Sequence, residues 1–201
     1  MLIIAARIIS MIFTPFYLPL VGIAFLFTFS YMSMLPLSYK MLVAIIVYLL
    51  TILAPTILIS LYRRHRGWTL LQLGHRRRRL GAYAISILCY LACIWLMFRL
   101  HIYHFIVIIV IAALIIQSLS VIVNIWWKIS MHTAAIGGVA GALMAFAELF
   151  RFNPVWWLCA IILLSGVLGT ARIILRQHTM GQVVVGFFIG AVCAFFTILY
   201  L

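Results

Sequence analysis

The chain has 201 residues, 69% of them hydrophobic and 7% charged, with a formal net charge of +13 and a mean hydropathy of +1.34; soluble domains carry roughly 25% charged residues. This excludes a soluble globular domain, and with Glu148 as the single acid it excludes paired-carboxylate catalysis and hard-metal sites, which need several carboxylates. It also excludes a nucleic-acid-binding domain, because the Arg and Lys residues lie in short loops between apolar spans and not on a soluble basic face.

A membrane-spanning helix takes about 20 apolar residues, the hydrocarbon layer being roughly 30 Å thick and the rise about 1.5 Å per residue. Seven apolar segments meet that length or nearly so, at residues 3–32, 41–62, 80–98, 104–125, 131–149, 154–175 and 180–200. The expected fold is an all-α integral membrane protein, a bundle of six to seven transmembrane helices, forming one domain over 1–201 with no linker long enough for a second. Pro15 and Pro19 interrupt the first segment, which is expected to be an interfacial helix leading into a span, retained and not cleaved as a signal peptide. Trp126, Trp127, Trp156 and Trp157 stand near segment ends, as an aromatic belt requires. Cys89, Cys93, Cys159 and Cys193 lie inside apolar runs with neither disulfide nor zinc spacing and read as small packing residues. Gly137, Gly138 and Gly141 in the fifth segment, with Gly186 and Gly190 in the seventh, would let those two helices approach closely.

If all seven segments cross, the loops alternate between two sides. The N-terminus, 63–79, 126–130 and 176–179 share side one with eleven Lys and Arg, against Lys40, Arg99 and Arg151 on side two. The excess of cations points to side one as cytoplasmic.

Two polar clusters interrupt the hydrocarbon, both on side one. In the first, WWKISMH, Ser130 is placed to cap the fifth helix, whose unbonded N–H groups and dipole favour an anion. Lys128 adds a full charge just before it, and His132 brings a group that exchanges protons near neutrality. In the second, ARIILRQHTMGQ, His178 and Gln182 are four residues apart. On one helix face the amide oxygen can accept from the imidazole and fix its tautomer. Arg172, near the end of the sixth helix, can grip two phosphate oxygens in a fork. Cations, a helix start and two histidines suit metal-free phosphoryl transfer, with one His attacking phosphorus and the other protonating the leaving oxygen.

These residues resemble the type 2 phosphatidic acid phosphatases, the PAP2 superfamily, over roughly residues 128–190. The family's PSGH signature is similar to Ile129-Ser130-Met131-His132, and its S-R-x5-H-x3-D signature to Ala171-Arg172, His178 and Gln182. The resemblance implies a PAP2-type bundle, His178 as the nucleophile forming a phosphohistidine, His132 as the general acid, and Ser130 and Arg172 as phosphate ligands. Gln182 stands where most members carry Asp, and H-T-x-x-Q-V looks like the dolichyl and polyprenyl diphosphatase branch. The K-x6-R-P signature has its nearest counterpart in HRRRRLGAY, with Arg79 before Leu80 as a candidate phosphate ligand and Gln72 at the Lys position; Lys128 is placed to supply the cation instead.

The expected function is a metal-independent membrane lipid phosphatase acting on a lipid phosphate or polyprenyl diphosphate, with no cofactor and a membrane lipid as partner. It would sit in the cell membrane, the inner one in a bacterium. The alternatives are a phosphotransferase that passes the phosphoryl group to a lipid or sugar hydroxyl, and a non-catalytic membrane protein that binds anionic lipid.

Overall fold

A computed structural model describes residues 2–67 and 76–201, excepting the side chains of residues 29, 31 and 76–79. The described residues are mostly helical, with no strand among them, and seven helical spans are long and apolar enough to cross a membrane. The first span is broken as its prolines require. Helix α1 (Leu2–Ile12) ends before a 3₁₀ turn at Pro15–Tyr17, and α2 (Leu18–Phe29) follows with Pro19 in its first turn, where a missing N–H costs nothing. The second span joins α3 (Leu37–Val47) to α4 (Ala54–His65) through a π-helical stretch, Tyr48–Leu53. Pro55 explains the widening: its ring cannot accept the carbonyl of the residue four before it, so the turn opens to i→i+5 bonding, with the Ala54 N–H on the Leu49 carbonyl.

The remaining spans are α5 (Arg76–Arg99), α6 (His104–Trp126), α7 (Met131–Phe150), α8 (Val155–Ile174) and α9 (Met180–Tyr200). Helix α7 is the most enclosed of them and α8 lies toward the periphery, packed on α1 and α7. Trp126 and Trp156 are largely exposed near span ends, as an interfacial belt requires. Cys89 and Cys93 are buried, in keeping with a packing role; Cys159 departs from it, exposed on the outer surface of α8, and Cys193 is half-buried.

The α7–α9 contact is the most extensive between helices among the described residues, and glycine makes it possible. A Cβ at Gly190 would run into the Ala134 carbonyl, one at Gly137 into the Phe187 carbonyl, and one at Gly141 into the Ala191 carbonyl. The two backbones therefore touch without side chains between them, as small residues permit in helices that gain nothing from burying apolar surface out of lipid. Gly186 extends the contact to the start of α7, where a Cβ would stand 2.7 Å from Thr133 Oγ1 and 2.8 Å from the Ser130 carbonyl. That places the loop before α9 beside the first turn of α7.

Candidate active site

Both polar clusters come to the same end of the bundle. The Ser130 N–H donates to the Gln182 carbonyl at 3.3 Å, and the Lys128 ammonium donates to the Gln177 carbonyl at 2.7 Å. Same-side placement, expected from loop alternation, is thus met by direct bonds between the clusters. Ser130 is fully buried and caps α7, accepting from the Thr133 N–H at 3.4 Å.

The turn that aims His178 is built locally. Helix α8 ends in a Schellman motif: the Gln177 N–H reaches the Arg172 carbonyl at 3.1 Å and the Arg176 N–H the Ile173 carbonyl at 2.8 Å. Arg176 takes the left-handed conformation this requires, φ 52°, where glycine is the usual occupant. Helix α9 then opens with a capping box, Thr179 and Gln182 each bonding the other's backbone N–H. In the same geometry His178 Nδ1 and Gln182 Oε1 are 3.2 Å apart, and the Thr179 N–H shares that oxygen at 3.2 Å. An amide oxygen already accepting one N–H can only accept another, so Nδ1 carries the hydrogen and the lone pair of the imidazole is on Nε2.

Arg172 and His178 are both buried, 6% and 7% exposed, on opposite sides of that turn. The Arg172 Nη1 donates to Ser10 Oγ at 2.6 Å, a contact across 162 positions that no spacing argument reaches. Arg172, His178 and the half-buried His132 line one cavity of about 360 Å³. Lys128 and Ser130 are not among its described lining residues; they tie the loops that form its mouth. Gln72 and the side chain of Arg79 lie outside the described residues. Glu148, the only acidic side chain in the sequence, is at the far end of α7, 3.3 Å from Arg151, so the mouth of the cavity is electropositive.

From that mouth the cavity runs along the bundle interior. Its α7 wall extends from Met131 to Phe146, about 22 Å at the helical rise, and its other walls come from the Pro15–Phe25 region, α5, α6 and α9. The lining is mainly apolar, with Tyr83, Ser86, Tyr90 and Gln117 as polar exceptions contributed by α5 and α6. Ser10 and Gln117 are the residues that motif reasoning passes over. Ser10 carries no sequence signal, whereas a Gln inside the apolar run 104–125 is one.

Residues 123–201 match the family model of the PAP2 superfamily, a stretch that includes α7, α8, α9 and every residue of the two clusters. No curated protein and no solved structure matches the chain.

Proposed function

We propose, from the match of residues 123–201 to the PAP2 superfamily, that the chain is an integral-membrane lipid phosphatase, a hydrolase of phosphoric esters or diphosphates working through a phosphohistidine. The observation that carries this reading is the single cavity in which Arg172, His132 and His178 stand at an electropositive mouth above an apolar chamber. A lipid headgroup fits the first part and its tail the second. Arg172 binds non-bridging phosphate oxygens through its fork, and Lys128, with Arg79 at the start of α5, adds positive potential on the same side. Ser130 presents the first turn of α7 to the phosphate.

His178 Nε2 attacks phosphorus, and the P–O bond to the lipid breaks. His132 gives its proton to the departing oxygen, leaving a neutral lipid alcohol or, from a diphosphate, a lipid monophosphate. Water then attacks the phosphohistidine, with His132 taking its proton, and inorganic phosphate leaves with His178 restored. The Nδ1–H bond to Gln182 steadies the imidazolium that forms. An amide offers less stabilisation than a carboxylate there, which suits a diphosphate, whose leaving group is better.

Purified protein in detergent is expected to release inorganic phosphate from at least one of a panel of isoprenyl diphosphates, isoprenyl monophosphates and phosphatidic acid. An added alcohol that leaves the phosphate yield unaltered supports hydrolysis over transfer. Absence of release across the panel would overturn the reading and leave a lipid-binding protein.

Arg172 depends on α1 through Ser10. Ser10→Ala removes a buried acceptor from a guanidinium, a loss of about 1–3 kcal/mol for a charged hydrogen bond. The expected result is a lower thermal midpoint and a raised KM for lipid phosphate, with Ser10→Thr restoring both. An unaltered KM would show that Ser10 does not position Arg172.

A further inference from the structure

Gln117 is one of two amide side chains in α6; the other, Asn124, lies close to the helix end and is not among the described residues lining the cavity. Gln117 is 8% exposed, lines the cavity, and has no hydrogen-bond partner among the described residues. Its amide is not sealed in protein but faces the cavity, and a polar group facing a mainly apolar chamber at membrane depth is costly until something in that chamber bonds it. A packing role does not account for it, because Leu or Met of similar volume would fill the same space without that cost.

The depth of Gln117 decides what it can meet. It lies nine residues before the end of α6, about 13 Å along the axis. Its neighbour Ile116 is level with Gly138, since a Cβ on Gly138 would stand 2.7 Å from Ile116 Cδ1. Gly138 is six residues past His132, about 9 Å. The amide therefore stands roughly 10 Å below the phosphate end of the cavity, less the reach of its own side chain. Ser86, whose hydroxyl donates to the Ala82 carbonyl at 3.0 Å, and Tyr83 line the cavity from α5, and Ser86 keeps lone pairs to accept with. Below them the described lining from α5 and α6 is apolar apart from Tyr90.

We infer that Gln117 is a specificity residue: its amide hydrogen-bonds a polar linkage of the substrate lipid just beneath the phosphate, an ester or amide carbonyl that joins headgroup to chain. This rests on the phosphatase reading and narrows it. A bare isoprenyl chain offers no such group, so it would leave the Gln117 amide unsatisfied when bound, whereas an acyl-linked lipid phosphate satisfies it. Sites built to hydrogen-bond a substrate group discriminate against analogues that lack it, because their own polar atoms are then stranded.

The test compares diacyl phosphatidic acid with its di-ether analogue, which deletes the carbonyls and keeps the chains, and with an isoprenyl phosphate of similar length. Wild-type protein is expected to favour the ester over the ether by about fivefold to tenfold in kcat/KM, the worth of one net hydrogen bond. In Gln117→Leu and Gln117→Met the ester-to-ether ratio falls to about one, while the thermal midpoint without lipid holds or rises. The ether comparison in wild type needs no mutation, so a variant that misfolds does not obscure the result. A wild-type ratio near one, an undiminished ratio in the variants, or a lowered midpoint in both variants overturns the inference, the last by making Gln117 a structural partner. If wild type hydrolyses none of the three lipids, the phosphatase reading fails and the inference is decided by binding. Ester and ether lipid phosphates titrated against wild type and Gln117→Leu by thermal shift must then show the same ratio and its loss.

Discussion

His178→Ala is expected to reduce phosphate release by roughly 10⁴-fold or more, the scale on which loss of a covalent nucleophile falls. In the proposed mechanism the imidazole is the attacking group, and no neighbouring side chain can replace it: His132 is on another helix, and the role proposed for it needs the opposite protonation state. His132→Ala should cost less, about 10²–10⁴-fold, as general acids do, and least for substrates whose leaving group is already a good one. Gln182→Ala should fall lower still, about 10–100-fold, because it removes one hydrogen bond to a group that becomes charged. It also opens the capping box, so its thermal midpoint must be measured beside its rate. The order His178, His132, Gln182 is read from kcat/KM in detergent on the best lipid of the panel. Binding of that lipid to His178→Ala should persist, since Arg172 and the chamber are untouched. Equal phosphate release by wild type and His178→Ala would falsify the phosphohistidine mechanism.

Gly190→Ala is expected to be among the most damaging single-methyl additions in the chain. Its Cβ would run into the Ala134 carbonyl and stand 2.8 Å from the Gly138 nitrogen, both backbone atoms. A side chain could rotate away from such an intrusion, but two helical backbones must separate. Overpacking typically costs about 1–3 kcal/mol, and a backbone collision belongs at or beyond the upper end, against a total stability of about 5–15 kcal/mol. Gly141→Ala and Gly137→Ala meet backbone carbonyls in the same way. Gly166→Ala on α8 is the control: its Cβ would meet nothing within 4 Å, and Ala is the better helix former by about 1 kcal/mol. Thermal unfolding in detergent should therefore separate the four, with Gly190, Gly141 and Gly137 lowered and Gly166 level or raised. Phosphate release should follow, because the α7–α9 contact brings the loop bearing His178 beside His132. A Gly190→Ala protein as stable and active as wild type would mean that the two helices do not touch through backbone.

Much of this site is legible in sequence because its parts are local. His178 and Gln182 are four apart on the opening turn of a helix, and that spacing alone places amide oxygen and imidazole within reach, as found at 3.2 Å. Ser130 is legible as a cap for the same reason. Loop alternation puts Lys128 and Gln177 on one side, though it could not say that the ammonium would hold that carbonyl. The broken first span follows from Pro15 and Pro19. The π-helical stretch before Pro55 is not legible in the same way: a proline ends, kinks or widens a helix according to the packing around it.

The sequence by itself determined the all-helical membrane character, the seven spans and their alternation, since hydropathy and segment length are local sums that the bilayer reads directly. It also determined the chemical parts, histidines and cations without carboxylates. Only the tertiary structure decided what those parts adjoin: that Ser10 of the first helix holds Arg172, that His132 and His178 face one cavity, and that Gln117 looks into it beneath them. Those pairings depend on which helix faces touch. Where lipid solvates every apolar face equally well, such choices are made by close backbone contact at glycine and by buried hydrogen bonds spanning much of the chain, and local spacing carries no record of either.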